Sequence, residues 1–426
     1  MPTTKRRLAA SSLRSLRAAV RWPPSGSRQS LSSSTTTAGG SDFTHVVIGG
    51  GVIGLSIGRQ LSLRPNSSTV ILERHGSIGR ESSSRNSEVL HAGLYYGASS
   101  LKAQLCVRGQ GLLYDLCARY GVGHKRVGKW LVAQDASQRE ALQRIYTLAT
   151  HQLGLSLRWL SDGEIERSGQ GVCAVAGALE SPATGIVDSH ALMTCLQAAF
   201  EYRGGIVALN SSVVGIEPLG RCGEAGWRLR VRDGSSSELT SITTETLINA
   251  AGLGSVAIHN LIVPPSRRLT LHLAKGSYFS YAAPSPRLSR LVYPAPSPDS
   301  AGLGTHLTVD LAGQMRFGPD VEWIDSVHDL AVSSARLPDV VKEVRRYLPS
   351  LDPSRLMPDY AGIRPKLSRG PALAGGKDFQ DFVIRNEDGY EGWINLLGIE
   401  SPGLTSCLAI AERVEHLLYG RVSSAD

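Results

Sequence analysis

The chain has 426 residues, of which 42% are hydrophobic and 19% are charged. That balance is typical of a folded globular protein and excludes a wholly disordered chain. No run reaches the ~18 consecutive apolar residues that a membrane-spanning helix needs, which excludes a transmembrane protein but leaves peripheral membrane association open.

The formal net charge of +8 is concentrated at the start of the chain. Residues 1–41 contain seven Lys and Arg residues and no Asp or Glu, so the remainder is close to neutral. A nearly neutral body gives no reason to expect nucleic acid as a partner. A basic, acid-free, Ser/Thr-rich start is typical of a mitochondrial transit peptide. We therefore expect residues 1–40 to be a disordered leader of a mitochondrial protein, with a plain basic tail as the alternative.

The six cysteines form no C-x-x-C pair, and the eleven histidines show no H-E-x-x-H spacing. In a chain of this length, scattered cysteines indicate free thiols in a reducing compartment. We expect neither a disulfide framework nor a metal site.

The first predicted elements are a β-branched strand at 44–48, a glycine turn, a helix to about residue 61 and a strand at 69–73. This order opens a parallel, doubly wound sheet. Helices are predicted at 101–120, 137–153 and 190–202, with strands at 128–133, 212–216 and 246–249. Asp233-Gly234 is a plausible hairpin turn.

From residue 264 to about 320 the sequence pattern changes to short strands rich in Pro, Tyr and Ser, which predicts an antiparallel sheet. A helix at 331–347, a strand at 393–397 and a helix at 404–418 follow. The predicted fold class is α/β, a doubly wound Rossmann-like domain with an interleaved α+β substrate domain. We assign residues 42–120, 185–262 and 355–420 to the dinucleotide domain, and 121–184 and 263–354 to the substrate domain.

A G-x-G-x-x-G motif follows the first strand, with its glycines at Gly49, Gly51 and Gly54. These glycines permit a tight turn, a close approach of pyrophosphate and close helix packing. Glu73 ends the next strand, where a carboxylate binds ribose hydroxyls and repels a 2′-phosphate. The motif therefore predicts FAD or NAD rather than NADP. Glycine-rich strand ends at 250–254 and 398–403 favour the longer cofactor, FAD.

Four segments resemble the L-2-hydroxyglutarate dehydrogenases, flavoproteins of the D-amino-acid-oxidase-like group. They are E-S-S-S-R-N-S-E-V-L-H-A-G-L-Y-Y at 81–96, S-P-A-T-G-I-V-D at 181–188, A-G-I-R-P-K at 361–366 and G-I-E-S-P-G-L-T at 398–405. The resemblance spans about 43–419 and implies an FAD-dependent enzyme that oxidises L-2-hydroxyglutarate to 2-oxoglutarate in mitochondria. It also implies that electrons pass to a respiratory-chain acceptor rather than chiefly to oxygen.

Candidate catalytic residues follow from the chemistry of a 2-hydroxy dicarboxylic acid. A neutral imidazole suits removal of the hydroxyl proton, and the resemblance points to His91 or His306. Arg364 matches the position where this group of flavoproteins binds a substrate carboxylate, which a guanidinium meets with two parallel hydrogen bonds. Lys275 and Lys366 are candidates for the distal carboxylate, and Tyr96 for a neutral donor.

Backbone N–H groups of residues 398–405 are expected to stabilise negative charge on the reduced flavin. The candidate cofactor-binding residues are Gly49, Gly51, Gly54, Glu73, Arg74, Ser87, Val213, Gly252, Gly398, Gly403, Leu404 and Thr405.

Two other functions fit the same fold. An amine or amino-acid oxidase would pass electrons to oxygen and release hydrogen peroxide. A flavoprotein retained as an assembly factor of a respiratory complex would bind FAD and turn over no small molecule. The presence of His91, His306 and Arg364 together argues against the assembly factor.

Overall fold

The computed structural model describes residues 40–296, 304–370 and 379–420. Residues from Ser41 onward form one compact unit. The expected leader at 1–40 lies, apart from its last residue, outside the described residues. In the described part of the chain, no helix has both the length and the apolar character needed to cross a membrane.

The strands are β1 (Phe43–Ile48), β2 (Thr69–Leu72), β3 (Val89–Leu90), β4 (His124–Lys125), β5 (Lys129–Ala133), β6 (Arg158–Trp159), β7 (Gly177–Ser181), β8 (Gly185–Val187), β9 (Ile206–Ala208), β10 (Ser211–Pro218), β11 (Trp227–Asp233), β12 (Leu239–Asn249), β13 (His272–Tyr281), β14 (Leu291–Pro294), β15 (His306–Val309), β16 (Met315–Gly318), β17 (Glu322–Ile324), β18 (Leu356–Lys366), β19 (Val383–Asn386) and β20 (Trp393–Leu397). The helices are α1 (Val52–Leu61), α2 (Leu101–Tyr120), α3 (Ala136–Thr147), α4 (Asp162–Ser168), α5 (Ser189–Tyr202), α6 (Ser255–Ile262), α7 (Leu337–Arg345) and α8 (Gly403–Tyr419).

The first sheet has the order β10-β11-β12-β1-β2-β9, with β20 beside β12 and β19 beside β20. Its centre is parallel, because β1 runs parallel to both β2 and β12. Both faces of β1 are covered: Val47 packs into the core with α1, α5 and α8, and Val46 into the core that holds Trp227 and Trp393. A central strand that is buried on both faces has a continuous run of β-branched residues in the sequence. That run made the doubly wound fold predictable, and the prediction is confirmed.

The second sheet has the order β17-β13-β16-β15-β14-β5-β7-β6, with β18 beside β13. All of its pairings are antiparallel except that of β14 with β5. Strand β18 lies within the range 355–420 assigned to the dinucleotide domain, yet its pairing belongs to this second sheet. The other domain boundaries stay predictions.

Two helices are shorter than the sequence indicated. The helix expected at 331–347 occupies Leu337–Arg345, because Pro338 suits only its first turn. The helix expected at 137–153 is α-helical only to Thr147 and continues as a π-turn over Leu148–Gln152. Neither difference touches the site.

Candidate active site

The glycine motif forms a tight turn between β1 and α1. Gly49 has a φ of +108°, which a side chain rarely tolerates. A Cβ atom at Gly54 would collide with the carbonyl oxygen of Gly49, so the helix can lie this close to the strand only with glycine there. Gly51 is the N-cap of α1 and has no side chain with which to cap the helix. The Ser83 hydroxyl accepts a hydrogen bond from the Val52 N–H at 3.0 Å, and the next N–H groups of α1 are suited to a phosphate.

A cavity of about 250 Å³ lies at the end of this turn, and we call it the dinucleotide cavity. Six of the predicted cofactor residues line it, namely Gly49, Gly51, Glu73, Arg74, Val213 and Gly252. Gly252 has a φ of +52°, which suits a glycine-rich strand end. The sequence therefore placed this half of the cofactor site on residues that the structure brings together.

Glu73 is the acidic residue of the dinucleotide cavity and is only 6% exposed. Its carboxylate accepts hydrogen bonds from the backbone N–H groups of Gly50 at 2.7 Å and His75 at 2.8 Å. These bonds fix the carboxylate at the end of β2, where ribose hydroxyls would meet it and a 2′-phosphate would be repelled. Arg74 is paired with Glu81 beside it. A buried carboxylate that accepts hydrogen bonds at this position fits the adenosine half of FAD or NAD.

A second cavity of about 150 Å³, here the reaction cavity, adjoins the first. The two cavities share Ile53, Ser82, Ser83 and Ile399, so they continue into each other along the start of α1. Seven of the predicted site residues line the reaction cavity: Ser87, His91, Tyr96, His306, Arg364, Gly403 and Leu404. A long cofactor such as FAD fits this arrangement, because its flavin lies far from its adenine.

Thr405 and Gly398 line neither cavity. The Thr405 hydroxyl accepts a hydrogen bond from the backbone N–H of His91 at 3.0 Å and donates one to the carbonyl of Val89 at 3.2 Å. Gly398 has a φ of +66° and ends β20 in a turn. Thr405 therefore fixes the backbone that carries His91.

His91 follows β3, and hydrogen bonds hold both its backbone N–H and its carbonyl oxygen. Its carbonyl oxygen accepts a hydrogen bond from Gln110 Nε2 at 2.9 Å, in addition to the Thr405 bond at its N–H. Burial lowers the pKa of His91 well below its usual value, and the charges of Lys129, His306 and Arg364 lower it further. The imidazole is therefore neutral at neutral pH and able to accept a proton.

His306, the second candidate base, lies on β15 and faces the same cavity. Its ring stacks on Tyr293 with the ring centroids 3.5 Å apart and an interplanar angle of 7°. The structure thus brings both histidines to one cavity and orients one of them by ring stacking.

Three cations converge on one buried carboxylate, and we call this group the Glu400 cluster. Lys366 Nζ lies 3.0 Å and Lys102 Nζ 3.1 Å from Glu400 Oε1, and Arg364 lies 3.6 Å from Oε2. Burial by itself would raise the pKa of Glu400, but the three positive charges outweigh it and lower the pKa to about 2. The cluster keeps two positive charges in excess beside the reaction cavity.

Tyr96 is buried beside this cluster, and burial raises its pKa far above the usual value. It therefore stays a neutral hydroxyl. Lys275, by contrast, does not line the reaction cavity. Its charge is matched by Asp329 at 2.9 Å and Glu322 at 3.1 Å. It lines a third cavity of about 230 Å³, which shares His306, Arg364 and Glu400 with the reaction cavity. Lys366 lines this third cavity and not the reaction cavity.

Sequence reasoning missed Lys102, Lys129, Tyr293 and the side chain of Glu400. The signal for Lys129 was available as a single lysine inside the apolar strand run at 128–133. Glu400 stood within a segment that was interpreted through its backbone alone. Within residues 40–296, 304–370 and 379–420, no three His, Cys, Asp or Glu side chains are grouped to hold a metal ion.

The family model of FAD dependent oxidoreductases matches residues 44–417. Mitochondrial L-2-hydroxyglutarate dehydrogenase of Arabidopsis thaliana is 40% identical, over 87% of this chain and 82% of that protein. The enzyme of the same name from Bos taurus is 27% identical over 92% of both chains. Among solved structures, the FAD-bound L-α-glycerophosphate oxidase of Mycoplasma pneumoniae superposes with a TM-score of 0.77 at 20% identity, covering 89% of this chain and 96% of that one.

Proposed function

We propose that this chain, which belongs to the FAD-dependent oxidoreductase family, oxidises L-2-hydroxyglutarate to 2-oxoglutarate. The observation that carries the proposal is the excess positive charge of the Glu400 cluster beside a neutral imidazole in one cavity. A dicarboxylate with a hydroxyl group at C2 matches both features. The names of the related dehydrogenases support this substrate over an amine.

FAD, when bound, would accept the hydride, that is, the C2 hydrogen together with two electrons. We assign Arg364 to the C1 carboxylate, which its planar fork can bind with two hydrogen bonds. Lys366 and Lys102 attract the distal carboxylate, and Tyr96 offers a neutral hydroxyl. His91 takes the hydroxyl proton on an imidazole nitrogen while the C2–O bond becomes a carbonyl. His306, which stacks on Tyr293, orients the substrate from β15 of the second sheet.

The cellular setting is part of the proposal. The basic, acid-free residues 1–41 and the mitochondrial names of several relatives support a mitochondrial protein. We propose a respiratory-chain carrier as electron acceptor, with peripheral membrane association. Imaging of the chain fused to a fluorescent protein, with and without residues 1–40, tests whether the protein is located in mitochondria.

The deciding experiment records the visible flavin spectrum of the full chain under anaerobic conditions. We expect L-2-hydroxyglutarate to bleach the flavin rapidly and D-2-hydroxyglutarate to leave it unchanged. A yellow protein that neither form bleaches would contradict the dehydrogenase. Bleaching by glycine or sarcosine, with hydrogen peroxide released in air, would instead identify an amine oxidase.

Arg364→Lys provides the matched variant for this experiment. It keeps the positive charge but loses the bidentate fork, so we expect the substrate concentration for half-maximal bleaching to rise by about tenfold or more. Arg316→Lys, where the native arginine pairs with Asp359 on β18, serves as the control and should leave that concentration unchanged.

A further inference from the structure

Lys129 is a fully buried lysine that the proposed mechanism does not use. It lies on β5, between β14 and β7, and its side chain is 0% exposed. Within the described residues, its Nζ atom has no hydrogen-bond partner. An ammonium group with no partner is costly to bury, so its presence here calls for a physical reason.

The surroundings of Lys129 are aromatic and lead to the reaction cavity. Its Nζ lies 4.7 Å from the ring centroid of Tyr293 and 5.0 Å from that of Tyr95. Tyr293 is the residue on which His306 stacks. Ring faces attract a cation, which offsets part of the desolvation cost.

Lys129 is connected to His91 through Cys106 on α2. The Cys106 thiol, which interacts electrostatically with Lys129, donates a hydrogen bond to the carbonyl oxygen of His91 at 3.4 Å. The Nδ1 atom of His91 is buried and, among the described residues, without a hydrogen-bond partner. Lys129 Nζ and His91 Nδ1 are thus two buried nitrogens without a hydrogen-bond partner within the described residues.

We propose that Lys129 is a positioning residue that acts through His91 and helps to keep the imidazole uncharged. A positive charge fixed near the ring opposes its protonation. Together with burial, the charge disfavours the imidazolium form, which could not take the hydroxyl proton. This inference rests on the proposed role of His91 as base.

The charged and titratable groups around His91 come from several elements. Lys129 lies on β5, His306 on β15 and Arg364 on β18, and each of them lowers the pKa of His91. Cys106, on α2, is itself uncharged, because burial raises its thiol pKa to about 12. Burial lowers the pKa of Lys129 to about 7, so the amine is charged throughout the acidic range in which His91 would protonate.

The test replaces the charge and follows His91 directly. The full FAD-loaded chain is labelled with ¹³C at histidine Cε1, and the His91 signal is identified by its loss in His91→Gln. We expect the His91 signal of Lys129→Met to titrate about one pH unit or more above that of the native protein. An unchanged titration in Lys129→Met would overturn the inference.

Two further variants separate charge from packing. Lys129→Arg keeps a positive charge and should retain the native titration, whereas Leu131→Met changes only packing on the same strand and should also retain it. A shift in Leu131→Met equal to that of Lys129→Met would assign the effect to packing and reject the electrostatic role. If Lys129→Met does not fold, Lys129→Leu takes its place.

The rate of flavin bleaching at limiting substrate provides a second readout. The acidic limb of its pH profile should move upward in Lys129→Met by the same amount as the His91 titration, because the base then protonates at higher pH. An NMR shift without any bleaching of the native protein would reject the proposed function and leave the coupling intact. Native bleaching with an acidic limb that the variant does not move would reject the coupling.

Discussion

At the scale of single residues, Glu400 balances three cations that would otherwise repel one another in a buried place. Lys102 is 2% exposed and Lys366 is 7% exposed, so water solvates neither ammonium group well. Burial lowers the pKa of Lys102, while the nearby Glu400 carboxylate raises it and so favours the charged amine. The charge that we propose to bind substrate thus depends on the Glu400 carboxylate.

We predict that Glu400→Gln destabilises the protein at neutral pH by about 3–5 kcal/mol, because it leaves buried cations without their partner. The pKa of Glu400 lies at about 2 in the folded protein, below the 4.5 of a free carboxyl. Its stabilisation is therefore complete above about pH 4.5 and is lost as the pH falls through 2. Calorimetric melting between pH 5 and 3 should show this loss in the native protein and a shallower slope in Glu400→Gln.

Glu412→Gln is the control for that measurement. Glu412 pairs with Arg108 on the surface, where the two side chains are 39% and 63% exposed, and such pairs contribute little. A melting temperature for Glu400→Gln as close to native as that of Glu412→Gln would show that the buried cluster does not stabilise the fold.

At the scale of elements, helices α2 and α8 meet at a position that has no room for a side chain. A Cβ atom at Gly109 would collide with the carbonyl oxygen of Thr405 and lie 2.8 Å from Ser406 Cα. Since the Thr405 hydroxyl holds the His91 N–H, the contact between two helices determines where the proposed base lies.

We predict that Gly109→Ala destabilises the protein by about 1–3 kcal/mol and slows bleaching, because α8 must move away from α2. Gly111→Ala is its matched control on the same helix, since nothing lies within 4 Å of its Cβ position. That variant should stabilise the protein by about 0.5–1 kcal/mol, as alanine favours a helix over glycine. Urea denaturation measures both changes, and equal effects of the two variants would contradict the packing argument.

At the scale of the whole molecule, the two linked cavities run from the centre of the first sheet to β15 and β18 of the second. A cofactor that fills both cavities contacts residues of both sheets. Its binding should therefore stabilise both sheets together rather than one domain alone.

We predict that added FAD raises the melting temperature of the protein stripped of its flavin by several degrees, since ligand at 100 times its Kd contributes about 2.7 kcal/mol. The transition should stay single. NADP is the control ligand, because Glu73 repels a 2′-phosphate, and differential scanning calorimetry should show no shift with it. A shift with NADP equal to that with FAD would refute the assignment of Glu73.

How far the sequence predicted the site depended on how local the information was. Gly49, Gly54 and Glu73 belong to one strand–turn–helix–strand unit, and their spacing alone indicated a dinucleotide. The Glu400 cluster joins residues 102, 364, 366 and 400, and only the tertiary fold brings them together. Lys275 was expected at the substrate because a lysine's charge is visible in a sequence while the two carboxylates that match it are not. Strand β12 pairs antiparallel with β11 and parallel with β1, and the sequence did not show this because both pairings depend on the tertiary fold.

The position of β1 between β2 and β12 has a consequence for how the protein is made. Strand β1 pairs with β2 within thirty residues, but its other neighbour, β12, is translated about two hundred residues later. Sheets closed by such distant pairings form slowly, and their unpaired edges attract other chains. The nascent protein consequently leaves the ribosome with its central strand half-paired. Until β12 is made, the open edge of β1 is exposed to pairing with another chain.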